Sequence, residues 1–157
     1  MSAKDYPYSG NNQIIYFLKN FQEIFSDLLI FYKGGQGQCK YEKKEVVATI
    51  SSWEFVTQNN DEVAIQNYVY QKSPVAACAD AITWQFYTGG VITANSTCSA
   101  DDIDHCVQIT GWDQVSGVAA WHVRNVWGVD WGVEGYVYIE MGHNVCGIAV
   151  DVTAPII

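Results

Sequence analysis

The run from Ile103 to Tyr136 constrains this chain more than any other stretch. It reads I-D-H-C-V-Q-I-T-G-W-D, then after a short gap W-H-V-R-N-V-W-G-V-D-W-G-V-E-G-Y. One histidine, His105, heads an apolar run suited to a buried strand, and one asparagine, Asn125, ends a second such run. Two antiparallel neighbours bring these side chains together. An imidazole whose ring N–H is held by an amide oxygen is fixed in one tautomer and one orientation, which a base serving a thiol or hydroxyl nucleophile requires. Trp127 and Trp131 are placed to roof that hydrogen bond and keep water from it.

Composition narrows what can surround this stretch. With 157 residues, 49% hydrophobic and 16% charged, the chain is long enough for one globular unit with a real core and too apolar to be disordered. Eight basic residues against 17 acidic ones give a formal charge of −9, which argues against a nucleic-acid surface or an anionic membrane face. Five cysteines, at 39, 78, 98, 106 and 146, contain no C-x-x-C pair, so a zinc ribbon is disfavoured and one thiol is left over or bonded elsewhere. His122 and His143 read as structural or solvent-facing. No ligand spacing joins them to His105, so no metal and no cofactor is expected. Met1 is followed by S-A-K-D rather than a basic and then apolar segment, so no signal peptide is visible.

The 103–136 spacing resembles the second half of the papain family of cysteine proteases. That pattern runs roughly D-H-A-V-x-x-x-G-Y, then W-x-x-K-N-S-W-G-x-x-W-G-x-x-G-Y. The resemblance implies an α+β fold, with residues 1–157 forming the antiparallel β-barrel-like domain of a two-domain peptidase. It also implies His105 as general base, Asn125 as the residue orienting it, Trp127 as its shield and Trp131 as structural packing. Y-P-Y-S-G at 6–10 resembles the segment where such enzymes cross into this second domain, so the first domain is expected upstream. Cys39 then matches the cysteine that bonds back into that domain. Cys98 and Cys146 match a disulfide pair, the one bridge the resemblance implies here. A lysosomal or secreted location follows the same likeness. The acceptor triplet Asn95-Ser96-Thr97 fits a surface loop on that route.

Along the chain, Pro7 holds Tyr6 extended and Gly10 marks a turn. Residues 11–33 differ from the rest. Ile14, Phe17, Leu18, Phe21, Phe25 and Leu28 recur at helical spacing, with Lys19, Glu23 and Asp27 four apart on another face, which predicts an amphipathic helix. Those charges argue against a membrane span. The family pattern has nothing there, and the segment's Asn, Ile, Phe, Tyr and Lys are residues of A/T-rich codons. It is read as a non-family insertion, a translated intron or a gene-model artefact rather than a functional addition. After Cys39 a polar run gives way to V-V-A-T-I, a strand after a turn. Asn59 is read as a helix cap with Glu62 three residues on, followed by the stripe Ile65, Tyr68, Val69. S-P-V-A-A-C-A-D-A at 73–81 suits a buried strand with Cys78 as a small core residue. W-Q-F-Y-T-G-G-V suits a short helical turn and a glycine-bent strand. Valines, glycines and aromatics then alternate through 104–112, 118–124 and 135–141 as short antiparallel strands.

The family nucleophile sits in Q-x-x-x-x-x-C-G-x-C-W, which also supplies an oxyanion glutamine, and this sequence contains no such segment. Cys78 lies mid-strand. Cys106, next to His105, should point to the opposite face. R-N-V-W-G also departs from the family's K-N-S-W-G, losing a hydroxyl at Val126. The resemblance further assigns Ala77, Ile103 and Cys106 as walls and Asp151 as floor of a substrate pocket, with Asp104 and Trp127 along the cleft. The leading reading is the base-bearing half of a cysteine endopeptidase, inactive as written, whose partners are protein or peptide substrates and the missing domain. Two others compete with it. One is a non-enzymatic homologue or decoy; the other is an interaction module using helix 11–33.

Overall fold

The computed structural model describes residues 23–25 and 46–157. They fall into two compact units, of which Glu54–Ala154 is the larger. Strand β1 (Glu23–Phe25) belongs to the other unit and pairs antiparallel with β2 (Val46–Thr49), Ile24 facing Ala48. This corrects the helix expected over 11–33 at the three residues of that segment within the described set. Isoleucine and phenylalanine sit as well in a strand as on a helix face once a partner such as V-V-A-T is available, so helical periodicity did not decide the matter. The rest of 11–33 and Cys39 lie outside the described residues.

Among the described residues the main sheet has seven strands. In spatial order they are β3 (Ser52–Thr57), β9 (Asp151–Ile156), β4 (Val75–Ala79), β6 (His105–Val115), β7 (Val118–Arg124), β8 (Tyr136–Glu140) and β5 (Val91–Ile92). Among the described residues the ladder does not close, and β3 and β5 are its two edges. Most of the mapped pairings are antiparallel, but β5 runs parallel to β8, a partner far along the chain. With one α-helix, α1 (Glu62–Gln71), among the described residues, the fold is α+β and mostly sheet.

Strand β6 shows why this sequence folds so. His105, Val107 and Ile109 are buried while Cys106, Gln108 and Thr110 are partly or fully exposed, the two-residue alternation of a strand with one core face. Its hairpin to β7 turns at Ser116 (φ 52°) and Gly117 (φ 85°), a two-residue loop with both φ positive, which suits the right-handed twist of paired strands. In β4, Val75, Ala77 and Ala79 face Ile109, Val107 and His105 of β6, and Ala77 also faces Val152 of β9. All of these are buried, so that face is the core. The apolar run V-A-A-C-A is therefore a central strand covered on its core side, with Trp84 and Trp121 as the largest fully buried side chains of the domain.

Helix α1 begins two residues later than the sequence reading. Its cap is Asp61, whose side chain accepts the Ala64 N–H, and not Asn59. The Asn59 and Asp61 N–H groups both donate to Thr57 Oγ1, and Asn60 takes a left-handed conformation (φ 59°), which delays the helix by two residues. Glu62 accordingly does not reach back to a cap. Its carboxylate accepts from Trp121 Nε1 at 2.8 Å and from the Gly142 and Asn144 N–H groups at 2.8 and 2.6 Å, tying the helix start to β7 and to the turn after β8.

Candidate active site

The site forms where β6 begins and β7 ends. His105 is the first residue of β6, and Asn125 directly follows β7, so the β6–β7 ladder sets the two side chains side by side. His105 Nε2 and Asn125 Oδ1 are 2.8 Å apart, and each residue is only 5% exposed. The same Oδ1 accepts the Val126 N–H at 2.7 Å, which fixes the amide oxygen, and not the nitrogen, toward the ring. An amide oxygen only accepts, so Nε2 carries the proton and the lone pair of the neutral imidazole lies on Nδ1.

Aromatic rings enclose the pair. Trp127 stacks on the His105 ring at 5.2 Å between centroids with 23° between planes, and Trp84 meets it edge-on at 6.2 Å. Trp131 stands against Trp127 at 5.0 Å and donates its Nε1–H to the Trp84 carbonyl. The loop carrying these tryptophans is closed by backbone bonds from Asn125 to Gly135, Gly135 to Trp131 and Trp131 to Gly128. Burial lowers the His105 pKa from the ordinary 6.5; the Asn125 hydrogen bond and the nearby Asp104 carboxylate act the other way. Two buried donors at the site, Asn125 Nδ2 and Trp84 Nε1, have no hydrogen-bond partner among the described residues.

The expected pocket residues do not all converge. Cys106 pairs across the ladder with Cys78, and Cys78 pairs with Asp151, so these three residues share one face of the sheet. Ala77 lies on the other face, fully buried against Val107 and Val152, and cannot wall a pocket made by Cys106 and Asp151. The assignment of Ala77 slips by one residue, and one residue reverses the face. Asp104 is exposed, but its carboxylate accepts the Ala81 N–H at 2.8 Å and so also anchors the chain entering β6. Ile103 is half-buried, with its Cδ1 packed over Gly147.

The cysteines need a correction. Cys98 and Cys146 form a disulfide, and so do Cys78 and Cys106. Cys78 is therefore not a lone core residue, and Cys106 is not a simple apolar wall. Each lies in a separate strand of one antiparallel ladder at the same level, which brings their Cβ atoms within bonding reach. All four cysteines among the described residues are thus oxidised. Trp84, which the sequence places only in a short helical turn, and Cys78 are the site neighbours that sequence reasoning missed. The available signal for Cys78 was one cysteine in each of two predicted strands that could pair. His122 packs against Tyr138, and His143 lies 3.7 Å from Glu140, both away from His105 on other strands or turns. Among the described residues no cluster of three or more potential metal ligands occurs, and no helix is long and apolar enough to cross a membrane.

A buried His–Asn pair, with Trp127 stacked on the imidazole, stands at one end of an α+β sheet. The papain family cysteine protease pattern matches residues 1–156, and the chain belongs to that family. It is 35% identical to mouse cathepsin O over 133 residues, covering 84% of this chain and 42% of that protein. To cysteine proteinase 1 of Dictyostelium discoideum it is 34% identical over 125 residues, 76% of this chain and 35% of the relative. The chain thus spans less than half the length of these relatives. Among solved structures, digestive procathepsin L 3 from the larval midgut of Tenebrio molitor superposes with a TM-score of 0.81 at 28% identity, over 93% of this chain and 48% of the other. Bromelain of Ananas comosus in complex with the E64 inhibitor gives 0.78 at 28% identity, over 99% and 74%.

Proposed function

We propose that this chain is the base-bearing domain of a papain-type endopeptidase that hydrolyses peptide bonds by a Cys-His-Asn mechanism. The observation that carries the reading is the 2.8 Å contact between His105 Nε2 and Asn125 Oδ1. In this reading His105 takes the proton of a cysteine thiol at Nδ1 and, as imidazolium, later delivers a proton to the leaving amine. Asn125 keeps the ring from rotating, and Trp127 excludes water. The attacking thiol is none of the four described cysteines, since each is in a disulfide. The thiol and the oxyanion glutamine come from the polypeptide that the relatives carry beyond the matched region. Residues 1–157 then form one domain, with 11–33 as an insertion. Asp104, Trp127 and Ile103 border the cleft, and Cys106 with Asp151 forms the pocket for the second side chain before the scissile bond. Two disulfides suit an oxidising compartment, in keeping with a lysosomal or secreted enzyme.

The test is complementation. The full chain is refolded with a separately produced first domain of a papain-family enzyme carrying its cysteine, and hydrolysis of a fluorogenic peptide is followed. The chain alone should be inert. The complex should turn over substrate, lose activity on thiol alkylation, and lose it with His105→Ala. A folded one-to-one complex that stays inert overturns the reading in favour of a non-catalytic homologue.

A further inference from the structure

The Cys78–Cys106 bridge lies one residue from the base, and the family likeness has no role for it. The antiparallel ladder between β4 and β6 ends at the pair Ala79–His105, and the disulfide occupies the pair before it. Strand ends are where ladders open, because the last pair has neighbours on one side only. His105 thus sits at the weakest position of its strand, although its ring must hold a fixed hydrogen bond to Asn125. Further contacts hold this end: the Asp104 N–H to the Ala79 carbonyl at 3.2 Å, the Ala81 N–H to Asp104 Oδ1 at 2.8 Å and, at the residue after β4, the Asp80 N–H to the Cys146 carbonyl at 2.8 Å and the Ser99 N–H to Asp80 Oδ2 at 2.7 Å. None is covalent, and of these only the Asp104 pair touches β6 itself, where Asp104 is exposed to competing water. The second disulfide, Cys98–Cys146, joins segments outside the β4–β6 ladder.

We propose that the Cys78–Cys106 disulfide is a positioning clamp for His105, holding the end of the β4–β6 ladder closed so that the ring stays buried between Trp84, Trp127 and Asn125. The proposal rests on His105 being the base, but it concerns the placement of the ring and is tested without turnover. With the bridge intact, β6 cannot part from β4 at position 106, and the backbone of His105 inherits that restraint. Without it, Asp104 and His105 open together into water while the rest of the sheet stays paired.

The group that reports this is His105 itself. Among the described residues, the neighbours that face it include Asn125, Trp84 and Trp127, all uncharged, and the carboxylate of Asp104 on its own chain segment. The experiment uses the full chain with native disulfides, compared with Cys78→Val/Cys106→Val, which keeps a well-packed cross-strand pair but removes the covalent link. His105 is titrated by NMR, and amide exchange is measured at Asp104. The expected result is a His105 pKa that moves up toward 6.5 as burial is relieved, with exchange at Asp104 about tenfold faster. Cys98→Ala/Cys146→Ala should leave both readouts near native. Should the double-valine variant not fold, native chain treated with a dithiol until alkylation and mass spectrometry show the Cys78–Cys106 bond alone replaced by two thiols gives the same comparison. An unchanged His105 titration and unchanged Asp104 exchange, in either form, overturn the clamp. Equal shifts on losing the Cys98–Cys146 bridge also overturn it.

Discussion

Asn125 Oδ1 accepts two hydrogen bonds at once, from His105 Nε2 at 2.8 Å and from the Val126 N–H at 2.7 Å. The second bond gives the first its direction, since the backbone donor holds the amide oxygen in place whatever the imidazole does. Replacing Asn125 by Ala removes an interaction that raises the His105 pKa and leaves the lowering effect of burial in place. His105 in Asn125→Ala should therefore titrate below the native value, as read from its ring carbon shifts in NMR. An upward movement would mean that the substitution opened the site to water.

The lowered pKa also gives stability a pH dependence of known sign. Between the folded value and 6.5 the unfolded chain binds more protons at His105 than the folded one, so stability rises with pH there. This contribution is complete above 6.5 and is lost as pH falls through 6.5 toward the folded value. Urea unfolding of native protein and of His105→Asn at about pH 5 and about pH 7.5 should show a steeper loss on acidification in the native chain. Parallel pH profiles would place the destabilising acid titration elsewhere.

Much of this site is legible in the sequence. The His and Asn runs, their tryptophans and the three strands that carry them have strong local patterns: alternation in 105–110, and glycines where the loop after Asn125 reverses. The Cys78–Cys106 bridge was hidden because it depends on register, and no local pattern sets which residue of 73–81 meets which of 104–112. The same one-residue ambiguity misplaced Ala77. The strand at 23–25 was hidden for a related reason, since its partner lies more than twenty residues away in V-V-A-T.

The spacing from Asn59 predicts Glu62 as half of a capping box, but its carboxylate instead receives three hydrogen bonds from β7 and the turn after β8. Glu62→Ala leaves the Trp121 indole N–H and two backbone N–H groups without their acceptor, and Trp121 is fully buried. The cost should be about 2–4 kcal/mol, above that of an ordinary surface substitution, measured as a fall in the urea midpoint at constant slope. Gln at this position keeps one acceptor oxygen and should recover part of the loss.

Gly147 follows the disulfide residue Cys146 in a left-handed conformation (φ 72°). A Cβ there would come within 2.5 Å of Ile103 Cδ1 and 3.0 Å of the Ala100 Cα, and the second of these is backbone with little freedom to yield. Gly147→Ala should lose about 1–3 kcal/mol and shift the 100–103 segment leading into His105. Thermal unfolding gives the first effect, and the His105 NMR signals report the second. Native-like stability would show that this loop is free to move away.

Asp151 carries the prediction for specificity, and the register sets what lies beside it. Cys78 stands opposite Cys106 in one neighbouring strand and opposite Asp151 in the other, so the carboxylate and the disulfide occupy one row across three strands. The pocket proposed for the second side chain before the scissile bond therefore has the sulfurs as its apolar part and Asp151 as its charged part. Asp151 is half-buried, where water screens a charge less than at the open surface. A guanidinium reaching that row would make a charge-assisted pair with the carboxylate, whereas a leucine would contact only the sulfurs and carbon atoms beside it. In the complemented enzyme the ratio of kcat/KM for Arg over Leu substrates at that position should be high and should fall in Asp151→Ala by about tenfold or more, mainly through loss of Arg cleavage. Asp151→Asn keeps the shape without the charge and should fall nearly as far, which separates electrostatics from packing. An unchanged ratio in both variants would mean that Asp151 does not reach the substrate.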